Sequence, residues 1–202
     1  MKPFASGVFA TLLIFSAASS ANAAGNLVKN GSFEKPAVPD GGGMFFSPGD
    51  HFSGWTVVGD SGNVGVDSGD VVFCNHSFPA KKGKQWLDLT GNTDSGSATG
   101  VQRTIATIPG STYLLSFFIG NVVDTGGICG TSSTVNVVID GVPLASFTSK
   151  AGKGSSSQVW KKFSTEFVAE NAQTAIAFIN GDPAGDFDNG LDGVSVTLVI
   201  AP

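Results

Sequence analysis

Apolar residues recur in this chain with a period of two, and no segment sustains a period of 3.6, so the chain is restricted to sheet. Tyr113, Leu115, Phe117 and Ile119 share one face of a stretch whose other face carries Leu114, Ser116 and Phe118. Both faces are mainly apolar, which predicts a central strand, launched by the Pro109-Gly110 turn. Val135, Val137 and Ile139 alternate in the same way, and Asp140-Gly141 reads as a hairpin turn into residues 142–147. Phe163, Thr165 and Phe167 mark a further strand, as do Ala175, Ala177 and Ile179. Shorter runs at 54–58, 63–67, 85–89, 101–105 and 191–199 complete the set. Roughly ten short strands parted by turn signals predict an all-β antiparallel sandwich. A jelly roll is an economical way for such a sandwich to manage its sheet edges.

The intervals between strands are also informative. Residues 35–52 hold Pro36, Pro39, Gly41-Gly42-Gly43 and Pro48 and read as loop. Residues 68–84 read as irregular, with Lys81-Lys82-Gly83-Lys84 as a solvated basic turn. Residues 26–34 read as an opening strand and turn, which the last strand would meet in space.

Ahead of this pattern, Lys2, the apolar run Val8 to Ala18 and Ala21-Asn22-Ala23 have the order of a secretion signal, predicted to be cleaved after Ala23. The apolar run falls short of the ~20 residues that span a bilayer. Residues 24–202 are then expected to form one secreted or envelope-borne β domain. The chain is acidic, with a net charge of −5, and its basic residues are few and scattered. That balance argues against nucleic acid or an anionic membrane as partner.

Cys74 and Cys129 are the two cysteines. In an exported protein they are expected to form one disulfide, with free thiols or metal ligation as alternatives. Gly59-Asp60-Ser61-Gly62 superficially matches a nucleophile segment, but His51 and His76 do not fit a triad around Ser61. No pair of carboxylates has a defined spacing for glycoside hydrolysis. A non-enzymatic role is therefore expected. Asp182, Asp186, Asp188, Asn189 and Asp192 crowd one segment with oxygen ligands of the kind calcium takes, although a solvated acidic loop reads equally well. Trp55 and Trp160 read as core, while Trp86 suits either core or a sugar platform.

Several phrases occur in a fixed order: Asn26-Leu27-Val28-x-Asn30-Gly31-Ser32-Phe33-Glu34, Gly54-Trp55, Leu87-Asp88-Leu89-x-Gly91, Pro109-Gly110-x-x-Tyr113-x-x-Ser116-Phe117, Trp160-x-x-Phe163 and Leu191-Asp192-x-Val194-x-Val196. The set resembles the bacterial choice-of-anchor C proteins and the related plant cell-wall family called domain of unknown function 642. More distantly it resembles carbohydrate-binding modules with a galactose-binding-like jelly roll. The resemblance implies a structural calcium ion held by Glu34 and Asp192, and a polysaccharide or cell-wall glycan as partner. Trp86, Asn121 and Asp124 are the expected sugar contacts. A structural or adhesive surface protein that binds other proteins is the alternative. Members of this group often continue into an anchor, and this sequence ends at Val199-Ile200-Ala201-Pro202, so free secretion or a missing tail is expected.

Overall fold

Alternation becomes two six-stranded sheets laid face to face. The computed structural model of the protein describes residues 25–93, 96, 98–124 and 129–200. The expected signal segment, residues 1–23, lies outside them. One sheet runs β1 (Gly43–Phe46), β4 (Val64–Ser68), β7 (Gln85–Asp88), β14 (Gly190–Leu198), β9 (Thr112–Asn121), β12 (Val159–Val168). The other runs β11 (Val142–Ser149), β10 (Ser133–Ile139), β13 (Gln173–Asn180), β8 (Gly100–Ala106), β3 (Trp55–Val58), β2 (His51–Phe52). A small ribbon pairs β5 (Val72–Phe73) with β6 (His76–Ser77). The strand pairings within all three sheets are antiparallel, and the crossing order is that of a jelly roll. No helix among the described residues is long and apolar enough to cross a membrane.

Strand β9 is central, as its two apolar faces predict: it pairs with β14 on one side and β12 on the other. Its Tyr113, Leu115, Phe117 and Ile119 are buried in the main core with Trp55, Val101, Val135 and Phe178. Phe117 anchors this layer, with its ring 5.2 Å from Phe178 and 5.4 Å from Phe147, both edge-on.

The first sheet is also covered on its outer side. Trp86, Phe78, Val122 and Cys129 form a second buried cluster there, with Trp160 packed against it. The 69–84 segment and the loop after β9 supply this cover.

Three expectations change. Residues 26–34 are turns rather than a strand, because Asn30 and Phe33 take left-handed φ values of 53° and 55° that break an extended backbone. The stretch still docks where expected: Leu27 N–H donates to Val196 O at 2.9 Å, and Val194 N–H to Gly31 O at 2.8 Å. The glycine-rich 35–52 segment contains β1 and β2, and the 68–84 segment contains the β5–β6 ribbon.

Truncating Phe117 to alanine would empty the contact between the sheets. Urea unfolding of Phe117→Ala is expected to show a loss of about 3–5 kcal/mol, with the β-sheet circular dichroism signal retained at low urea.

Candidate functional site: an acidic cleft on the outer sheet face

Register decides which side chains share the outer face. One row crosses the whole first sheet through the pairs Phe45–Gly65, Gly65–Asp88, Asp88–Gly190, Gly190–Gly120 and Gly120–Trp160. The neighbouring row holds Gly43, Asp67 and Trp86. Glycine at these points lowers the floor. A Cβ on Gly65 would lie 3.0 Å from the Phe45 ring, and one on Gly190 or Gly120 would lie 3.0 Å from Trp160. The two aromatic rings therefore lie down over glycines at opposite ends, and Asp88 stands between them. The Asp67 carboxylate occupies the space that a Cβ on Gly43 would take.

Above this floor is a cleft of about 310 Å³ lined by Gly43, Phe45, Asp67, Phe73, Asp88, Asn92, Phe187 and Asp188. The Phe73 and Phe187 rings stand 6.2 Å apart on its wall. Asp88 is buried; its Oδ1 accepts the Thr90 amide N–H at 2.9 Å and the Thr90 hydroxyl at 2.6 Å. The Thr90 Oγ1 in turn accepts the Asp188 amide N–H at 2.9 Å, so one hydroxyl couples two of the aspartates.

Burial pushes the Asp67 carboxyl up to about 7, and the negative charge of Asp188 adds to the shift. Asp88 is raised well above the usual carboxylate range, first by burial, then by Asp188 and Asp67, against the opposing pull of the Thr90 bonds. Asp67 and Asp88 therefore hold a proton more tightly than ordinary carboxyls, and their titrations are linked through their shared neighbour Asp188. A protonated carboxyl beside phenylalanine rings is an acid with an apolar approach path. A larger groove of about 550 Å³ lies among Ile139, Val142, Leu144 and Phe167. Its carboxylates, Asp140, Glu166 and Glu170, are exposed, which leaves it without comparable chemistry.

The expected sugar contacts do not form one face. Trp86 is fully buried, stacked on Phe78 with ring centroids 5.8 Å apart, and offers no platform to a ligand. Asn121 is also fully buried: its Nδ2 donates to Val122 O and Ser133 Oγ, and its Oδ1 accepts Gly152 N–H. Asp124 is half-buried beside Cys74 and Cys129. Both cysteines are free thiols in this structure, yet their sulfurs lie within 4.8 Å of one another.

Glu34 and Asp192 converge on one loop. Asp192 Oδ2 accepts the amides of Lys81 and Lys82 at 2.8 and 2.7 Å, and Oδ1 that of Gly193 at 2.5 Å. Glu34 Oε1 accepts the amides of Lys84 and Gln85 at 3.0 and 2.9 Å. Gly83 bridges the two sets at φ 76°, where any Cβ would strike the Glu34 carboxylate. The turn read as merely solvated thus has exposed lysine side chains but a captured backbone. Asp192 is pushed up to about 7 by burial and by Glu34, while the backbone donors pull it down. The remaining acidic segment is dispersed: Asp182 Oδ1 accepts Thr134 N–H at 2.7 Å, and Asp188 belongs to the cleft.

Asp67 was not singled out by sequence, and Asp88 entered only as part of the Leu87-Asp88-Leu89-x-Gly91 phrase, with no role of its own. A faint signal existed: Gly65-Val66-Asp67 and Trp86-Leu87-Asp88 put glycine, tryptophan and acid on one face of two neighbouring strands.

A family model described as HpiC1-like, HpiC1 cyclase, matches residues 25–192. The fold is similar to the crystal structure of a cyclase from Fischerella sp. TAU, at 19% identity over 90% of this chain and 100% of that one, with a TM-score of 0.61. The same cyclase in complex with 4-(1H-indol-3-yl)butan-2-one matches at 20% identity over 89% and 100% of the two chains, with a TM-score of 0.60. The CBM22-1-CBM22-2 tandem domain of Paenibacillus barcinonensis Xyn10C matches at 20% identity over 91% of this chain and 48% of that one, with a TM-score of 0.52. These likenesses show the fold, an antiparallel jelly-roll β-sandwich.

The raised Asp67 has a measurable signature. Its ordinary value is 3.8 and its folded value about 7, so the folded state holds the proton more tightly. Its stabilising protonation is complete below the unfolded value and is lost as pH rises through about 7. Asp67→Asn is expected to flatten the fall in melting temperature between about pH 5 and pH 8, read by scanning calorimetry of both proteins across that range.

Proposed function

From the premise that the chain belongs to the HpiC1-like family, we propose that the outer-face cleft is an acid-bearing site that cyclises or rearranges a small, ring-bearing apolar molecule. The observation that carries this reading is the pair of buried carboxyls, Asp67 and Asp88, both shifted toward the protonated form by burial among aromatic walls. Asp88 is the proton donor in this reading. The Asp88 carboxylate left by that transfer takes a proton back from the substrate cation as the product forms, which restores the acid, and Asp67 and Asp188 set the charge around it. Phe45, Phe73 and Phe187 exclude water, and their ring faces favour a transient positive charge on the substrate.

The second reading is the carbohydrate-binding one, with the same cleft holding a sugar ring. Its support is the carbohydrate-binding-module fold together with Phe73, Asn92 and Asp188 at the open mouth. Export to the envelope or medium belongs to both readings, as does kinship with the choice-of-anchor C and domain of unknown function 642 proteins. A protein partner at the cell surface belongs to a third, purely adhesive role, for which the exposed apolar edge at Val142, Leu144 and Val168 is the support.

We also propose calcium at the Glu34–Asp192 pair. Two hard carboxylates that repel one another across one loop are a suitable donor pair, and Glu34 keeps one oxygen outside the bonds to Lys84 and Gln85. The ion would lock the loop that roofs the second cluster and would take no part in the acid chemistry.

Two measurements test these readings. The first is binding of 4-(1H-indol-3-yl)butan-2-one followed by nuclear magnetic resonance, with conversion assays on indole-bearing alkenes and ketones. The expected result is binding that weakens about tenfold in Phe73→Ala, with turnover falling about 100-fold or more in Asp88→Asn. No binding or conversion, together with retardation on a polysaccharide in affinity electrophoresis, would favour the second reading. The second is a thermal shift on adding calcium to chelator-treated protein. A stabilisation that disappears in Asp192→Asn is expected, and no shift in the unaltered protein would remove the ion.

A further inference from the structure

Cys74 caps the β5–β6 ribbon, where it and Asn75 take left-handed φ values of 48° and 63°. This turn points one sulfur toward the loop after β9. In that loop the Asp124 amide N–H donates to Gly130 O at 3.1 Å, which draws Asp124 and Cys129 to one mouth. The two Sγ atoms and a carboxylate oxygen of Asp124 all lie within 4.8 Å of one another. Cys129 is buried, whereas Cys74 and Asp124 are half-buried, so the group opens to solvent on one side only.

We propose that Cys74, Asp124 and Cys129 form a site for a divalent transition metal of the zinc type. Ligand atoms on a tetrahedral zinc stand about 3.5–3.8 Å apart, which the observed spread accommodates with small side-chain movement. Three protein ligands leave the fourth position to water. Two sulfurs among three donors select zinc-like ions over calcium, which separates this site in chemistry from the Glu34–Asp192 pair.

The surroundings add a further carboxylate: Cys129 Sγ lies 3.3 Å from Asp188 Oδ2. On binding a divalent cation, each sulfur gives up its proton to solvent and binds as thiolate, and the adjoining carboxylates become favourable neighbours. Asp188 borders both this group and the acidic cleft. The metal site nonetheless stands on its own ligands, whatever the cleft does.

The test uses the full chain, reduced and stripped of metal under anaerobic conditions, then titrated with Co²⁺ and competed with Zn²⁺. One equivalent of Co²⁺ is expected to give thiolate charge-transfer absorption and tetrahedral visible bands, both removed by one equivalent of Zn²⁺. Asp124→Asn is expected to weaken the affinity about tenfold or more, at least the cost of losing an outer-shell partner. Cys74→Ser and Cys129→Ser are expected to abolish the charge-transfer bands, with circular dichroism as the check on folding. If a cysteine variant does not fold, the spectrum of the unaltered chain still decides. A Cys74–Cys129 disulfide in the protein as isolated, without bound metal, would overturn the proposal. So would Zn²⁺ binding that persists unchanged in the folded double cysteine variant.

Discussion

The outer face of the first sheet depends on two carboxylates that hold a loop by its backbone. Asp192 and Glu34 accept the amides of Lys81, Lys82, Lys84 and Gln85, and so fix one end of a segment whose middle is tied to β12 by the Trp160 ring N–H on Pro79 O at 2.8 Å. Hydrogen bonds from backbone donors to charged acceptors are among the stronger ones available to a protein. Gln85 extends the clamp, because its Nε2 donates to Phe33 O and Pro36 O while its Oε1 accepts Val38 N–H. The entering chain, the roof segment and the last strand are thereby joined at one place. The burial of Trp86 and Phe78 depends on that roof.

The roof in turn makes the acids unusual. Asp67 and Asp88 stand on strands whose other face lines the main core, positions at which an open sheet would show polar residues to water. Under Phe45, Phe73 and Phe187 they lose solvent, and both carboxyls are raised. The order of effects matters. Burial is the larger cause at both residues, and mutual repulsion comes second. The cleft's chemistry is thus a by-product of packing on a face that the two-sheet sandwich alone would leave wet.

Much of the fold was legible in the sequence because a strand's side-chain period is local. The apolar faces of Tyr113 to Ile119 identified a central strand, and Asp140-Gly141 identified the hairpin that joins β10 to β11. The site was less legible because it depends on long-range cover. Asp67 reads as an ordinary solvent-facing residue until the segment over it is known. Trp86 suited a sugar platform or the core equally well, and only its stacking on Phe78 decides for the core. Asn121 ends strand β9 with its amide bonded to Val122, Ser133 and Gly152, partners that only the folded chain reveals. The Asn26–Glu34 phrase was placed correctly against the last strand, but its left-handed residues make it a turn.

The glycines beneath the cleft bear on how such a site could change. Gly43 and Gly65 belong to hydrogen-bonded strands, so the floor is backbone held in register. The walls, by contrast, come from Phe73 on a two-residue strand and Phe187 on a loop. Depth is therefore set in steps of one side chain by what replaces a glycine, whereas width varies continuously with loop position. A ligand would meet a fixed depth gauge and a pliable rim, and selectivity for thickness would be sharper than selectivity for outline.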